Sequence, residues 1–329
     1  MEKSIVFVFF ISFLVTIYII PYLIRYLRAI GITVKDMNKK DKPFVPISGG
    51  IAVFIGIFAS IMGLIFVQTF FYDAPASFLI LFFVVLTCLF IITFVGFIDD
   101  MIIDRGKNHS RGLRQWQKPL LTLSAAIPLM VLNAGTKEVG LPFFGVVDLG
   151  LFYTFVLIPL GVVGAANMVN LLAGFNGMET GMGLVYTFML GLFAYVNDRY
   201  IAAVLAFACF AALLAFYYYN KYPARILPGD SLTYLLGGVI ACIAILGNIE
   251  KAAIISSIPF FIEFILKIRS GLKAQSYGYY KDGKIHSLSG DKIYSIPHLF
   301  SRTGKYTERQ ITYFMIAIQL FFSSLIWVI

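Results

Sequence analysis

Ten runs of mostly apolar residues, separated by short polar connections, set what this chain can fold into. A membrane-spanning helix needs about 20 mostly apolar residues, and most of these runs approach that length. Of the 329 residues, 60% are hydrophobic and 13% are charged, whereas a soluble domain carries roughly 25% charged residues. We therefore predict an all-α integral membrane protein, folded as a single polytopic domain over residues 1–329. The predicted spans lie at about 4–24, 48–70, 78–98, 119–133, 151–169, 180–196, 200–219, 231–247, 252–268 and 310–328.

The distribution of Lys and Arg predicts how these spans are oriented. If the N-terminus is outside, 22 of the 26 Lys and Arg residues fall in the inner connections, as the positive-inside rule requires. This pattern predicts about ten transmembrane helices with both termini outside and a long cytoplasmic loop at about 269–309. Alternating apolar residues with Gly and Pro punctuation predict a small outer hairpin at 134–150. The net charge of +9 can meet anionic lipids and substrates at the inner face, and no soluble basic domain suggests nucleic-acid binding.

Polar residues gather at the inner ends of three apolar runs. Asp99 and Asp100 end LFIITFVGFIDD, Asn167 and Asn170 lie at the end of another run, and Asp230 opens the run in RILPGDSLTYLLGG. Each has a structural interpretation as a solvated helix end or an N-cap. Polar groups at a membrane edge are nevertheless costly and usually mark a site. Clustered oxygen donors of this kind suit Mg²⁺, which suggests phosphate chemistry at the membrane surface.

The segment NLLAGFNGMETG and the basic loop before it supply further candidates. Gly174 allows a ligand to approach the backbone closely, and the amide of Asn176 can hold a metal or read a nucleobase edge. Glu179 is either part of this site or a cap of the next helix. Lys118 lies where the basic loop re-enters the membrane, so it can either snorkel or hold a phosphate.

In this order, GFIDD, NMVNLLAGFNGMETG and LPGDSLTYLLGG resemble the motifs of the polyprenyl-phosphate N-acetylhexosamine-1-phosphate transferases. The form NLLAGFNGMETG is similar to the eukaryotic and archaeal branch, the UDP-GlcNAc:dolichyl-phosphate GlcNAc-1-phosphate transferases. The resemblance implies that a polyprenyl or dolichyl phosphate displaces UMP from UDP-GlcNAc as the first step of lipid-linked glycan assembly. It also implies a requirement for Mg²⁺, with Mn²⁺ as a substitute. The site would face the cytoplasm, at the cell membrane of a prokaryote or the ER membrane of a eukaryote.

The same resemblance implies residue roles. The predicted catalytic residues are Asp99, Asp100 and Lys118. Asp99 and Asp100 match the family's acidic pair and could act as a base or, in a competing mechanism, as a nucleophile, and Lys118 matches the lysine near the lipid phosphate. Asn170 and Asp230 match its metal and diphosphate ligands. The predicted substrate-binding set consists of Asn167, Asn170, Gly174, Asn176, Glu179 and Lys273, and within it the resemblance matches Asn176 to the uridine-reading Asn.

Lys273 enters that set because the chain departs from the family in the last cytoplasmic loop. An Arg-His-Arg element is expected there, but the sequence reads GLKAQSYGYYKDGK. Lys273, Gln275 or Ser276 could substitute for it, although Lys lacks the fork geometry of Arg.

Two other classes of membrane protein compete with this interpretation. A secondary transporter also carries polar groups in Gly-interrupted helices, but it usually places them near the bilayer midplane. A CDP-alcohol phosphotransferase would need a series of Asp along one helix pair, which is absent. The sequence leaves the oligomeric state open, a homodimer included.

Overall fold

The computed structural model describes residues 1–104, 109–110, 112–141 and 145–328. Most of these residues are helical. In chain order, the α-helices among them are α1 (Glu2–Ala29), α2 (Gly50–Phe71), α3 (Ala76–Met101), α4 (Gln117–Leu123), α5 (Ile127–Val131), α6 (Gly150–Phe152), α7 (Ile158–Leu171), α8 (Met178–Val196), α9 (Tyr200–Asn220), α10 (Gly229–Gly247), α11 (Glu250–Ser256), α12 (Ile258–Ile268), α13 (His298–Ser301) and α14 (Glu308–Ser324).

Within the described residues, eight helices are long and apolar enough to cross a membrane. Six of them are α1, α2, α3, α8, α9 and α10. The seventh, Gly150–Leu171, joins α6 to α7 through one π-helical stretch, and the eighth, Glu308–Val328, continues α14 through a final 3-10 turn. Their apolar composition makes the chain an integral membrane protein of the all-α class.

Two of the ten predicted spans are not among these eight helices, because each is divided into elements too short to cross a membrane. The run at 119–133 becomes α4, a 3-10 turn and α5, and the run at 252–268 becomes α11 and α12. In each case a proline, Pro128 or Pro259, lies in the first turn of the second segment. Proline lacks the N–H that would continue the preceding helix, and it is tolerated at a helix start.

Short antiparallel strand pairs lie in the connections. The pairs are β1 (Thr33–Lys35) with β2 (Phe44–Pro46), β3 (Ile103–Asp104) with β4 (His109–Ser110), β5 (Glu138–Leu141) with β6 (Gly145–Asp148), and β7 (Gly278–Lys281) with β8 (Lys284–Ser287). The hairpin predicted at 134–150 is therefore confirmed as β5 and β6, and its place at the outer surface stays a prediction. The long loop at 269–309 is not structureless, because it contains β7, β8 and α13.

Helix α10 lies at the centre of the bundle, and nearly all of its residues are buried. It packs against α2, α3, α7 and α9. Glycines make this close packing feasible: a Cβ on Gly96 of α3 would lie 2.4 Å from the backbone oxygen of Asp230, and a Cβ on Gly237 would lie 2.4 Å from Cα of Ala166 in α7. Small residues at helix interfaces let membrane helices approach in this way. The start of α10 therefore lies beside the ends of α3 and α7.

Candidate active site

The carboxylate of Asp100 caps the N-terminus of α10 from the end of α3. Its Oδ1 accepts a hydrogen bond from the backbone N–H of Asp230 at 2.7 Å, and its Oδ2 accepts from the N–H of Ser231 at 3.1 Å and from Oγ of Ser48 at 2.8 Å. The first N–H groups of a helix have no partner within it, and the positive end of the helix dipole favours an anion there. Gly229 has a φ of +71°, and a Cβ at this position would lie 2.3 Å from Oδ2 of Asp100. Asp100 therefore fixes the backbone from which Asp230 projects.

The carboxylate of Asp99 is buried beside its neighbour but holds a different part of the site. Its Oδ2 lies 2.7 Å from Nζ of Lys118 and accepts a hydrogen bond from the hydroxyl of Tyr234 at 3.3 Å. Its Oδ1 accepts a hydrogen bond from the backbone N–H of Leu113. Asp99 thus orients the Lys118 ammonium and joins the loop before α4 to α10.

Lys118 bridges Asp99 to Asp230, whose Oδ2 lies 3.0 Å from its ammonium. Burial would lower the pKa of Lys118, but the carboxylates of Asp230 and Asp99 outweigh that effect and raise its pKa above the ordinary value. Lys118 is therefore protonated at any working pH. When Asp99, Asp100 and Asp230 are ionised, the cluster carries two more negative than positive charges, which favours a divalent cation.

Asn170, at the end of α7, completes the group. Its side chain lies beside the Asp230 carboxylate, and its buried Nδ2 makes no well-formed hydrogen bond. Nδ2 is an N–H donor and suits a carboxylate or phosphate oxygen, so only the amide Oδ1 could coordinate a cation.

These residues adjoin a cavity of about 420 Å³. Asn170, Lys118 and Asp230 line it, together with the loops that follow α1, α7 and α12. Neither Asp99 nor Asp100 lines it, and each is only 1% exposed. The volume is within the range of about 300–1,000 Å³ that is typical of small-molecule sites.

The glycine-rich loop after α7 forms one wall of the cavity. Gly174 has a φ of +137°, its N–H donates to Oε1 of Glu179 at 2.6 Å, and its carbonyl accepts from Nδ2 of Asn38 at 2.7 Å. Oε2 of Glu179 is buried and has no hydrogen-bond partner. Glu179 therefore does more than cap its own helix, because it also braces the loop.

Asn176 is 2% exposed and lies in a hydrogen-bond network. Its Nδ2 donates to Asp36 at 3.1 Å, and its Oδ1 accepts from Nζ of Lys39 and from the N–H of Ala224, both at 2.9 Å. Its own N–H donates to Glu308 at 2.9 Å, and the Lys39 ammonium pairs with both Asp36 and Glu308. The predicted base-reading amide therefore also joins the loops after α1, α7 and α9 to the start of α14.

Besides Asp99 and Asp100, two predicted site residues do not line the cavity. Asn167 donates to Oγ1 of Thr122 at 3.1 Å and to the carbonyl of Val163 at 2.8 Å, which ties α7 to α4. Lys273 is exposed on the last loop. The lysine that lines the cavity on that side is Lys267, at the end of α12.

Sequence reasoning missed three other residues that hold the site. Ser48 donates to Asp100, Tyr234 donates to Asp99, and Glu308 binds the network around Asn176. The Thr-x-x-Gln pattern at 307–310 marks the start of α14 and could have located Glu308 in its first turn, because the structure forms a capping box there. The other two have no local signal, since they act across helices that are distant in sequence.

Comparison with known proteins agrees with this arrangement. Residues 82–248, which include Asp99, Asp100, Lys118, Asn170 and Asp230, match glycosyl transferase family 4.

The chain belongs to glycosyl transferase family 4.

Similar proteins are known from archaea and bacteria. The chain is 32% identical over 320 residues to a protein of Saccharolobus solfataricus named UDP-N-acetylglucosamine–dolichyl-phosphate N-acetylglucosaminephosphotransferase, covering 96% of this chain and 92% of the relative. A Sulfolobus acidocaldarius protein of the same name is 30% identical over 321 residues, with 96% and 93% coverage. The phospho-N-acetylmuramoyl-pentapeptide-transferase of Staphylococcus epidermidis is 30% identical over 266 residues, with 77% and 79% coverage. The family is therefore shared with bacterial enzymes, and the two archaeal relatives match over more of the chain.

Proposed function

We propose that this protein transfers GlcNAc-1-phosphate from UDP-GlcNAc to a polyprenyl or dolichyl phosphate and releases UMP. The observation that carries the proposal is a cavity at one end of the helix bundle that Lys118, Asn170 and Asp230 line, while the buried Asp99 and Asp100 hold Lys118 and the start of α10 from behind its wall. The names of the archaeal relatives support the same reaction. A cavity at the end of a membrane bundle suits a reaction that joins a water-soluble sugar nucleotide to a lipid phosphate.

We also propose Mg²⁺, or Mn²⁺ in its place, as the cofactor. Asp230 and Asn170 would hold it, and when bound it would neutralise the donor diphosphate and the leaving UMP. The Asp230 carboxylate and the amide oxygen of Asn170 are oxygen donors of residues that line the cavity, and Mg²⁺ prefers oxygen ligands. Among the described residues no group of three or more His, Cys, Asp and Glu side chains could hold a metal by itself. Mg²⁺ typically binds one or two carboxylates together with waters and substrate phosphates, so it does not need a closed protein site.

The protein's own residues would then have distinct tasks. Lys118, fixed between Asp99 and Asp230, would bind the phosphate of the lipid acceptor and hold it in line with the donor. Asp99 would orient Lys118, and Asp100 would orient the first turn of α10. Because Asp99 and Asp100 lie behind the cavity wall, direct displacement by the lipid phosphate is favoured over an aspartyl-phosphate intermediate.

The nucleoside of the donor would lie towards the loop after α7. Glu179 and Gly174 line the cavity there, and Gly174 leaves room for close approach of a ligand. Asn176 remains the residue that matches the family's uridine-reading Asn, and it would bind the base only by exchanging one of its present partners.

The membrane placement is part of the proposal. With ten crossings, counting the segmented pairs α4–α5 and α11–α12, both termini would be outside and the cavity would open to the cytoplasm. The excess of Lys and Arg in the connections that line the cavity supports this orientation. The site would then meet UDP-sugars of the cytoplasm while the acceptor's hydrocarbon tail stays in the bilayer. Association as a homodimer remains open.

A reconstitution assay tests the reaction itself. Purified protein in lipid would be given a polyprenyl phosphate and UDP-GlcNAc, UDP-GalNAc or another UDP-sugar, with and without Mg²⁺, and UMP release would be measured. We expect UMP release with UDP-GlcNAc that depends on both the acceptor and a divalent cation. No release with any donor would reject the transferase and leave secondary transport as the competing function.

A further inference from the structure

Lys267 places a buried ammonium group at the wall of the cavity, outside the acidic cluster. It lies in the last turn of α12, its side chain is only 5% exposed, and it lines the cavity. Its Nζ donates to the carbonyl of Ala274 at 2.6 Å. A buried ammonium is costly unless it has a role or a close partner, so its contacts decide between a structural and a binding function.

The ion pair with Glu263 does not occupy all the hydrogen-bond donors of the Lys267 ammonium. Oε1 of Glu263 lies 3.7 Å from its Nζ, which is an ion-pair distance but longer than a hydrogen bond. The Glu263 carboxylate is also engaged elsewhere, because Oε1 accepts from Oγ of Ser276 at 3.3 Å and Oε2 accepts from the N–H of Ile296 at 2.8 Å. An ammonium has three N–H donors, and the bond to Ala274 uses one of them. Lys267 can therefore donate to a ligand in the cavity.

The charge of the substrates requires such a donor. The two substrates bring three phosphate groups into one cavity, and the ammonium of Lys118 is already shared between Asp99 and Asp230. The third lysine at the cavity, Lys35, has its ammonium 5.6 Å from the ring centroid of Phe44. A second cation at the cavity wall would hold the donor while Lys118 holds the acceptor.

The position of Lys267 indicates which substrate it meets. The loop that it fixes through Ala274 continues to Ser276, whose hydroxyl donates to the carbonyl of Leu171 at 3.1 Å. Leu171 follows Asn170, the proposed ligand of the metal and diphosphate. The α12 wall therefore borders the diphosphate side of the cavity.

We propose that Lys267 binds a phosphate oxygen of the donor nucleotide sugar, in the part of the chain where the sequence pointed to Lys273. This assignment rests on the proposed transferase function and adds the residue that holds the donor. Lys273 is exposed and lies outside the cavity lining, so the two lysines, six positions apart, make a matched pair for experiment.

The test compares Lys267→Gln with Lys273→Gln in the full-length protein reconstituted in lipid. The readouts are KM for UDP-GlcNAc, KM for the polyprenyl phosphate, and inhibition by UMP and by uridine. Loss of one charge-assisted hydrogen bond is worth about 1.5–3 kcal/mol, so Lys267→Gln should raise the KM for UDP-GlcNAc about 10- to 100-fold. It should weaken inhibition by UMP but not by uridine, and it should leave the acceptor KM unchanged. Lys273→Gln should behave as wild type.

Two results would overturn the assignment while the transferase function stands. One is an unchanged donor KM in Lys267→Gln. The other is a parallel rise of both KM values and of the uridine inhibition constant, since a merely structural lysine would disturb the whole cavity. If Lys267→Gln does not fold, Lys267→Arg keeps the charge but moves its N–H donors, so inhibition by UMP relative to uridine should change in Lys267→Arg and not in Lys273→Arg. An unchanged ratio in Lys267→Arg would also overturn the proposal. Absence of UMP release from the wild type would instead reject the transferase function.

Discussion

Replacing Asp100 with Asn should damage the stability of the protein as well as its activity. An acidic residue that acted only as a base or a nucleophile would affect turnover and leave folding intact. Asp100 instead accepts hydrogen bonds from the N–H groups of Asp230 and Ser231 and from the hydroxyl of Ser48. The variant Asp100→Asn keeps the size of the side chain and replaces one acceptor oxygen with an NH₂ group.

The geometry sets the size of the effect. If the remaining amide oxygen occupies the Oδ2 position, it keeps Ser231 and Ser48 as donors, and the new NH₂ group faces the N–H of Asp230. The lost bond to a charged acceptor is worth about 1.5–3 kcal/mol. Loss of the anion at the start of α10 adds about 0.3–2 kcal/mol. We expect a decrease of about 2–5 kcal/mol in the free energy of unfolding and, because Asp230 is displaced, a loss of activity above about 10²-fold.

The assay measures unfolding of the purified protein in detergent micelles alongside UMP release from the same preparation. Ser48→Ala is the matched control because it removes one of the three donors to Asp100 and leaves the carboxylate in place. Its cost should be about 0.5–2 kcal/mol, and the double variant should cost less than the sum of the two single variants. Wild-type stability of Asp100→Asn, or strict additivity with Ser48→Ala, would refute the interpretation that Asp100 caps α10.

Three further predictions address Lys118, Gly229 and His298. Because its pKa is raised, Lys118 stays protonated from pH 6 to 10. Lys118→Gln should therefore raise the KM for the acceptor about 10- to 100-fold without removing an alkaline limb from the pH–rate profile. An alkaline limb present only in the wild type would contradict this prediction. Gly229→Ala should lower the free energy of unfolding by about 1–3 kcal/mol and remove most of the activity, because Gly229 has a positive φ and the new Cβ would meet Asp100. In the control Gly161→Ala the new Cβ meets nothing within 4 Å, so this variant should be neutral or stabilising in the same unfolding assay. His298 accepts from the N–H of Tyr294 and bonds the carbonyl of Gln275 as a neutral ring, and burial lowers its pKa. Its contribution to stability is therefore present above its ordinary pKa of about 6.5 and lost as the pH falls through its lower folded value. The melting temperature should thus fall on acidification more steeply in the wild type than in His298→Gln, and parallel curves would contradict the assignment.

The membrane class and the site's main members could be predicted from the sequence because their signals are local. Long apolar runs specify helices, and Asp99, Asp100 and Asp230 stand at their ends. The division of two spans into shorter helices was harder to predict from the sequence, although Pro128 and Pro259 mark the two breaks. A proline in the first turn of a helix and one that breaks a helix look alike until the packing is known.

The separate roles of the site residues could not be predicted from the sequence, because these roles depend on helix packing. The sequence presents Asp99 and Asp100 as equivalent neighbours, yet one orients Lys118 and the other caps α10. The end of α12 decides which lysine reaches the cavity, and helix boundaries are the least certain feature of a sequence. The sequence therefore pointed to Lys273, while the structure places Lys267 at the cavity.

The magnesium dependence of UMP release, measured for the wild type and for Asp230→Asn, tests the central claim most directly. The account holds that Asp230 and Asn170 bind the divalent cation beside the donor diphosphate. It predicts that the wild type releases UMP only with Mg²⁺ or Mn²⁺ present, and that Asp230→Asn loses more than about 10²-fold activity and needs a higher concentration of the ion. Equal UMP release by the wild type and Asp230→Asn at every Mg²⁺ concentration would contradict it.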